Sequence, residues 1–437
     1  MSPPILSLIM LGTTIAAIVL GIPVAFALMG IPLIFGVATL GPKILMQFPV
    51  QAYGMMTSYA FVAAPLFIFM GTILERSGIA DGLYESFYHL FGPLRGGLAL
   101  ATVAMATLFG ACTGIVGAGV ITIGLLALPS MLSRGYSKEL ATGSIMVGGG
   151  LGVIIPPSIM LILYGACAGV SIAALFTAGI IPGLILSGFY ITYIIIRSFL
   201  QPKIAPSISK EERVRGPKLV RMIGTSLIPP LFLIIAVLGS IFFGVCAPSE
   251  AGAMGVLGAL IVTAAGRRLT WKVIKEATIE TLRITTAVLL ICLGGKLFTG
   301  VFIYMGGGKL IKSALLGLPF GPTGIMIMML LIVLLMGMVM DWIGMIFILV
   351  PIFSPIISSL GIDPLYFGML FCVTLQISNM TPPFAYSVFY LKGIAPPEVT
   401  IADMYRGCIP FVILQVIATL VLIRFPSLIL FLPSLMK

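Results

Sequence analysis

Two short stretches set a pair of prolines beside hydroxyl and amide side chains in the middle of apolar runs. They are Gly148-Gly-Gly-Leu-Gly-Val-Ile-Ile-Pro-Pro-Ser158 and Asn379-Met-Thr-Pro-Pro-Phe384. Consecutive prolines inside a helix remove hydrogen bonds and clash with the preceding turn. Each run is therefore predicted to be two half-helices meeting at Pro156-Pro157 or at Pro382-Pro383. In hydrocarbon such a break is tolerated only where it is buried in protein or lines a cavity. The half-helix before each break ends in unpaired carbonyls, suited to a hard monovalent cation such as sodium. The half-helix after it begins with free amides at the positive end of the dipole, suited to a carboxylate. Ser158, Asn379 and Thr381 add side-chain groups there, and Gly152, Pro156 and Pro382 add backbone carbonyls. A proline kink capped by polar groups is the plainer structural reading.

Two further segments could complete such a site. Gly110-Ala-Cys-Thr-Gly-Ile-Val-Gly-Ala-Gly119 carries glycines at 110, 114, 117 and 119. That density fits a re-entrant hairpin tip or a close helix crossing better than a lipid-facing helix. Gly110, Thr113 and Gly114 are the cation-site candidates, with Thr113 also a candidate for substrate, and close packing is the alternative. In the second half, Gly337-Met-Val-Met-Asp-Trp-Ile-Gly344 places Asp341 in a long apolar run. A carboxylate there is costly and marks an ion path or a buried partner, unless it only caps helix amides. Glu250 in Pro-Ser-Glu reads as a helix cap. Lys296 and Arg406 read as snorkelling or locally paired cations, and the Met-rich run 326–340 as membrane-helix packing.

The elements that must hold these residues are set by composition. The chain has 437 residues, 60% hydrophobic and 8% charged, with a mean hydropathy of +1.22. Those values exclude an ordinary soluble domain and define an all-α polytopic membrane protein in the lipid bilayer. The formal charge of +11 sits in loops between spans, so it is a topology signal rather than a nucleic-acid footprint. The six cysteines lie in or beside apolar segments without paired metal spacing, so no transition metal is expected. His89, the one histidine, reads as a solvated loop residue in the polar stretch Glu75–Arg95. No Walker A sequence and no nucleophile elbow with a nearby histidine is present, which argues against ATP drive and against an enzyme. No resident cofactor is expected. The continuous apolar run to Leu40, without a basic leader, is not a cleaved signal peptide.

The chain divides at its most basic stretch, Arg197–Arg221, which the positive-inside rule places in the cytoplasm. Expected units are 1–74 (N-terminal membrane helices), 75–197 (first repeat), 198–222 (basic loop), 223–283 (scaffold helices and a surface arm) and 284–437 (second repeat). The repeat rests on five correspondences: Gly110 with Gly337, Gly135 with Gly361, Pro156-Pro157 with Pro382-Pro383, Tyr164 with Tyr390, and Pro182 with Pro410. The offset stays between 226 (156 to 382) and 228 (182 to 410). The loop Arg134–Glu139 is net basic and its counterpart near Asp363 has no base, whereas Glu75–Arg95 is net acidic and its counterpart holds Lys309 and Lys312. These contrasts orient the repeats oppositely, the inverted plan of many secondary transporters.

These residues resemble a known family. Gly150-Leu-Gly-Val-Ile-Ile-Pro-Pro-Ser158 with Tyr164-Gly165, Pro248-Ser-Glu-Ala251, Met340-Asp-Trp342 and Met380-Thr-Pro-Pro383 match the large membrane subunit of tripartite ATP-independent periplasmic (TRAP) transporters. Leu175-Phe-Thr-Ala-Gly-Ile-Ile-Pro-Gly183 and Asp403-Met-Tyr-Arg-Gly407 also fit, so the resemblance spans the chain. One departure is Thr113-Gly-Ile-Val116, where many members carry a Ser-Gly-Ser-Ser type tip; it leaves Thr113 and backbone carbonyls for ligation. The resemblance implies an elevator-type, sodium-coupled importer of an organic acid, C4-dicarboxylate-like, in the bacterial inner membrane. It also implies a small four-helix membrane subunit and a periplasmic substrate-binding protein as partners. A self-sufficient ion-coupled carboxylate carrier is the rival, and an intramembrane enzyme or scaffold would leave the paired breaks without a reason.

Overall fold

The computed structural model describes residues 2–114, 116–209, 211–214 and 216–436; the side chains of 111–113 lie outside what is described. Among the described residues all regular structure is helical. The N-terminal helices are α1 (Pro3–Val19), α2 (Val24–Leu40), α3 (Gln47–Met56) and α4 (Tyr59–Arg76), followed by α5 (Ile79–Phe91). The expected loop around His89 is therefore a helix. Leu83, Tyr84, Phe87 and Tyr88 recur at helical spacing and are buried, which is what folds it. His89 stands edge-on to the Tyr88 ring at 4.8 Å. Desolvation there lowers its imidazole pKa below the ordinary value, against the opposing pull of Glu85.

The first repeat continues as a hairpin, α6 (Gly97–Thr113) and α7 (Val116–Leu132), then α8 (Lys138–Leu151), a break, α9 (Ile159–Ala168) and α10 (Ile172–Leu200). The middle of the chain holds α11 (Pro217–Ser226), α12 (Ile228–Phe242) and α13 (Pro248–Ala265). Glu250 caps α13, its Oε2 accepting from the Ala247 N–H at 2.8 Å. The expected surface arm is one piece with the next span: α14 runs unbroken from Trp271 to Tyr304. The second repeat then has α15 (Gly307–Leu316), a hairpin of α16 (Pro322–Gly337) and α17 (Trp342–Ser359), α18 (Pro364–Ser378), a break, α19 (Tyr386–Lys392) and α20 (Ile401–Arg424). A short α21 (Ser427–Ser434) closes the described chain. By length and composition, seven stretches among the described residues can cross a membrane: α4, α10, α11 with α12, α13, α14, α17 and α20.

Matching caps mark the repeat. Ser137 accepts from Leu140 N–H at 3.2 Å to start α8, and Asp363, 226 residues later (137 to 363), accepts from Tyr366 N–H at 2.9 Å to start α18. Gly135 and Gly361 precede them with φ of 77° and 68°, a left-handed turn that glycine adopts without Cβ strain. The broken-helix segments α8, α9 and α18 are almost wholly buried, whereas α16 exposes Ile327, Leu331 and Leu335, and α12 and α13 expose Phe232, Ile235, Met254, Leu257 and Ile261. Apolar exposure of that kind suits lipid or a membrane partner. The hairpin of the first repeat is tied to α4, where Glu75 Oε1 accepts from Thr122 Oγ1 at 2.8 Å. Arg76 on α4 reaches Glu280 on α14 at 3.9 Å.

Candidate functional site

Each hairpin tip docks on the broken helix of its own repeat, and glycine makes the contact possible. A methyl group on Gly110 would stand 2.5 Å from Gly152 Cα and 2.7 Å from Gly152 N, so the first tip and first break touch main chain to main chain. Gly114 has φ of 61°, and a methyl group there would lie 3.2 Å from Ile159 N and 3.4 Å from Pro157 O. In the second repeat Gly337 occupies the equivalent place against Ser378, and Phe384 N–H donates to Met338 O at 3.2 Å. The pairs Gly110–Gly152 and Gly337–Ser378 are thus the same contact made twice. The hairpins also cross over: a methyl group on Gly117 of α7 would lie 2.9 Å from the Tyr390 ring of α19, and Cys167 of α9 donates to Ile346 O of α17 at 3.7 Å. Each broken helix thus also touches the hairpin of the other repeat.

The two breaks differ in what they present. The first is sealed: Pro156, Pro157 and Ser158 are all buried. Ser158 starts α9, its hydroxyl donating to Val153 O and accepting from Leu161 N–H at 3.4 Å. Its oxygen is engaged as a cap, so the amides offered by α9 are partly met from within. The second break reaches the chain surface at Pro382 and Pro383, with Thr381 half-buried. Thr381 Oγ1 donates to Ile377 O at 2.7 Å, which leaves its lone pairs free to accept or to ligate. Asn379 is 3% exposed and its Nδ2 has no partner among the described residues. The following helix begins at Ala385 with φ of 41° and no side-chain cap.

Asp341 sits at the second tip and starts α17, its Oδ2 accepting from Ile343 N–H at 3.0 Å. It caps, as one sequence reading holds. Among the described residues no Lys or Arg pairs with it within 4.0 Å. Thr113, its near-counterpart in the first tip, has its side chain outside the described residues. Lys296 on α14 finds no carboxylate among the described residues either; its ammonium stands 5.3 Å over the Phe61 ring of α4. Groups of three or more His, Cys, Asp or Glu able to hold a metal ion are absent among the described residues.

A cleft of about 290 Å³ runs between α4, α7 and α14, lined by Thr72, Glu75, Arg76, Gly117, Glu280 and Tyr390. It leads from charged groups at the ends of the long helices to the hairpin flank and to the half-helix beyond the second break. Sequence reasoning missed Gln376, Ser378 and Ser387, which line the second break. No sequence signal marks Gln376, whose counterpart at the repeat offset is the unlike Gly150 (150 to 376).

Paired hairpin tips on paired broken helices, buried in a bundle of apolar spans, define a multi-pass transport protein of the inner membrane. The chain belongs to the tripartite ATP-independent periplasmic transporter family, as its DctM component, the family model matching residues 11–428. It is 32% identical over 377 residues to the ectoine/5-hydroxyectoine TRAP transporter large permease protein UehC of Ruegeria pomeroyi, covering 86% of each chain. It is 27% identical over 401 residues to the C4-dicarboxylate TRAP transporter large permease protein DctM of Vibrio cholerae, again covering 86% of each. The isethionate TRAP transporter permease protein DctMQ of Oleidesulfovibrio alaskensis is 29% identical over 377 residues, 86% of this chain but 58% of that one. In three dimensions the chain resembles the Alcanivorax borkumensis YdaH transporter, whose structure was described as having an unusual topology: TM-score 0.66, 15% identity, 89% of each chain covered.

Proposed function

We propose that this chain is the membrane pathway of a tripartite importer that moves a small organic acid inward by sodium symport. The observation that carries the reading is the doubled tip-on-break unit, with Asp341 capping the helix at the second tip and Asn379 and Thr381 at the second break. Carbonyls freed at Gly152, Pro156 and Pro382, with Gly110, Gly114, Gly337 and the Thr113 tip, are the cation ligands in this reading. Asn379 serves both the cation and the substrate, Thr381 helps to hold the substrate, and Asp341 supplies the counter-charge. Ser158 acts through the shape of the first break, since its hydroxyl is taken up in capping. No resident cofactor is needed; the sodium gradient supplies the drive.

The substrate class is a carboxylate-bearing solute. Relatives named for C4-dicarboxylate and for ectoine transport both fit that class, which favours a carboxylate as the shared element over a strict dicarboxylate. In this family the large permease works with a small membrane subunit and a periplasmic binding protein. A relative that spans both permease parts in one chain supports the small subunit as a partner, seated on the exposed apolar faces of the N-terminal and central helices. Movement is of the elevator type: the two hairpin units shift together against α4 and α14, and the Glu75–Thr122 hydrogen bond holds one end of that stroke.

Reconstitution into proteoliposomes with the small subunit, with and without the cognate binding protein, tests the tripartite part. Uptake is expected only when both partners are present. Uptake by this chain alone, indifferent to the binding protein, would instead establish the self-sufficient carrier.

A further inference from the structure

Gln376 is a side chain for which the fold offers no internal use. It is fully buried, and neither its Nε2 nor its Oε1 has a hydrogen-bond partner among the described residues. An amide left unpaired in the apolar interior costs more than a Leu or Met of similar volume would. A group of this kind has a partner in some state of the working protein.

Its place identifies that partner. Gln376 lies in the last turn of α18, and its counterpart at the repeat offset is Gly150, in the last turn of α8. The two counterparts face each other: a methyl group on Gly150 would lie 3.0 Å from Gln376 Nε2 and 3.2 Å from Met380 Cε. The amide therefore stands where the two repeats meet, in space that a glycine leaves open. Two more buried groups nearby are unpaired among the described residues, Asn379 Nδ2 and Ser387 Oγ. Ser387 N–H donates to Asn379 O at 3.1 Å, which holds the start of α19 against the end of α18. At the same offset the first repeat has Val153 (for 379) and Leu161 (for 387). The open polar atoms thus come from one repeat only. They are uncharged, and they include donors, an acceptor and a hydroxyl that can do either.

We propose that Gln376, with Asn379 and Ser387, determines specificity by reading a neutral polar group of the substrate that both donates and accepts hydrogen bonds. This rests on the reading that substrate lies between the tips and the breaks. A bare carboxylate satisfies Gln376 Nε2 but leaves Oε1 unmatched. A hydroxyl or N–H next to the carboxylate satisfies both. The preferred substrates are therefore hydroxy- or nitrogen-bearing carboxylic acids rather than plain dicarboxylates.

Succinate and malate differ by one hydroxyl and make the test direct. The purified permease with its small subunit is titrated with each acid in sodium buffer, and thermal stability is followed. Malate is expected to stabilise at a concentration at least about tenfold below succinate, the scale of one matched hydrogen bond. Q376L is expected to erase that preference while leaving the melting temperature without acid unchanged or higher, and Q376E, which keeps the shape, to lose it too. Equal response to the two acids, no response to either, or a preference that survives in Q376L overturns the proposal. An N379A/T381V double variant separates the two readings. If it abolishes stabilisation by both acids while the acids are not distinguished, the site stands and the role of Gln376 fails. If it changes nothing, the site itself is misplaced.

Discussion

Replacing Asp341 with asparagine is expected to leave the protein folded and to remove sodium dependence, whereas alanine removes stability as well. The carboxylate accepts from Ile343 N–H at 3.0 Å, and its backbone has the extended conformation of an N-cap, with φ of −63° and ψ of 144°. Asparagine caps a helix about as well as aspartate, and alanine costs about 1 kcal/mol at such a place. Capping alone therefore does not explain a charge in the middle of an apolar run, where charge is expensive. In the proposed function the carboxylate has a second use, to offset the coupling cation at the second tip. D341N should melt with the wild type, and D341A about 1 °C lower. Both should show uptake reduced at least about tenfold under an inward sodium gradient, as expected when an intramembrane counter-charge is lost. Normal sodium-dependent uptake by D341N would reduce Asp341 to a structural cap.

The second large effect comes from a single methyl group. Gly152→Ala places Cβ 2.5 Å from Gly110 Cα and 2.7 Å from Gly110 O, main-chain atoms that have no rotamer by which to move aside. Overpacking of this kind costs about 3 kcal/mol or more when the neighbour cannot yield. The first tip must lift off its break, so G152A should lose monodisperse yield and transport together. A methyl group on Gly188 of α10 would meet no atom within 4 Å, and the φ there is not positive. Gly188→Ala is therefore the control and should be neutral or slightly stabilising, since alanine is the better helix former. Size-exclusion profiles and uptake of the two variants, compared side by side, decide the matter. Transport retained in G152A would mean that the tip need not sit on the break.

Much of this architecture was legible because prolines and glycines punctuate a membrane protein for reasons that do not depend on its partners. Pro156-Pro157 and Pro382-Pro383 had to interrupt their helices, and the glycines at 110 and 337 had to sit where chains approach closely. Even the caps Ser137 and Asp363 follow the same offset. What escaped depends on which faces pack. The stretch Glu75–Arg95 looked like a loop because its charges are scattered, yet Leu83, Tyr84, Phe87 and Tyr88 form one buried face and make it a helix. Arg267–Arg283 looked like a separate surface helix. Thr270 caps the helix that starts at Trp271, and no glycine or proline intervenes before Gly294, so the helix continues into the span. Ser158 has the chemistry of a ligand, and the cap it makes to Leu161 N–H at the start of α9 is a packing detail that the sequence did not show. Gln376 was hidden for a different reason: one amide in an apolar run carries no pattern, and only its burial without a partner singles it out.

The most direct test of the site is sodium-driven uptake by Asn379→Ala and Thr381→Val, singly and together. Each would be reconstituted with the small subunit and binding protein, and compared under an inward sodium gradient and in matched potassium. Wild-type uptake should collapse in potassium. Asn379→Ala should need a higher sodium concentration for half-maximal uptake and Thr381→Val a higher substrate concentration, and the double variant should take up no more in sodium than in potassium. Wild-type sodium dependence in the double variant would place the coupling site away from the second break and contradict the account.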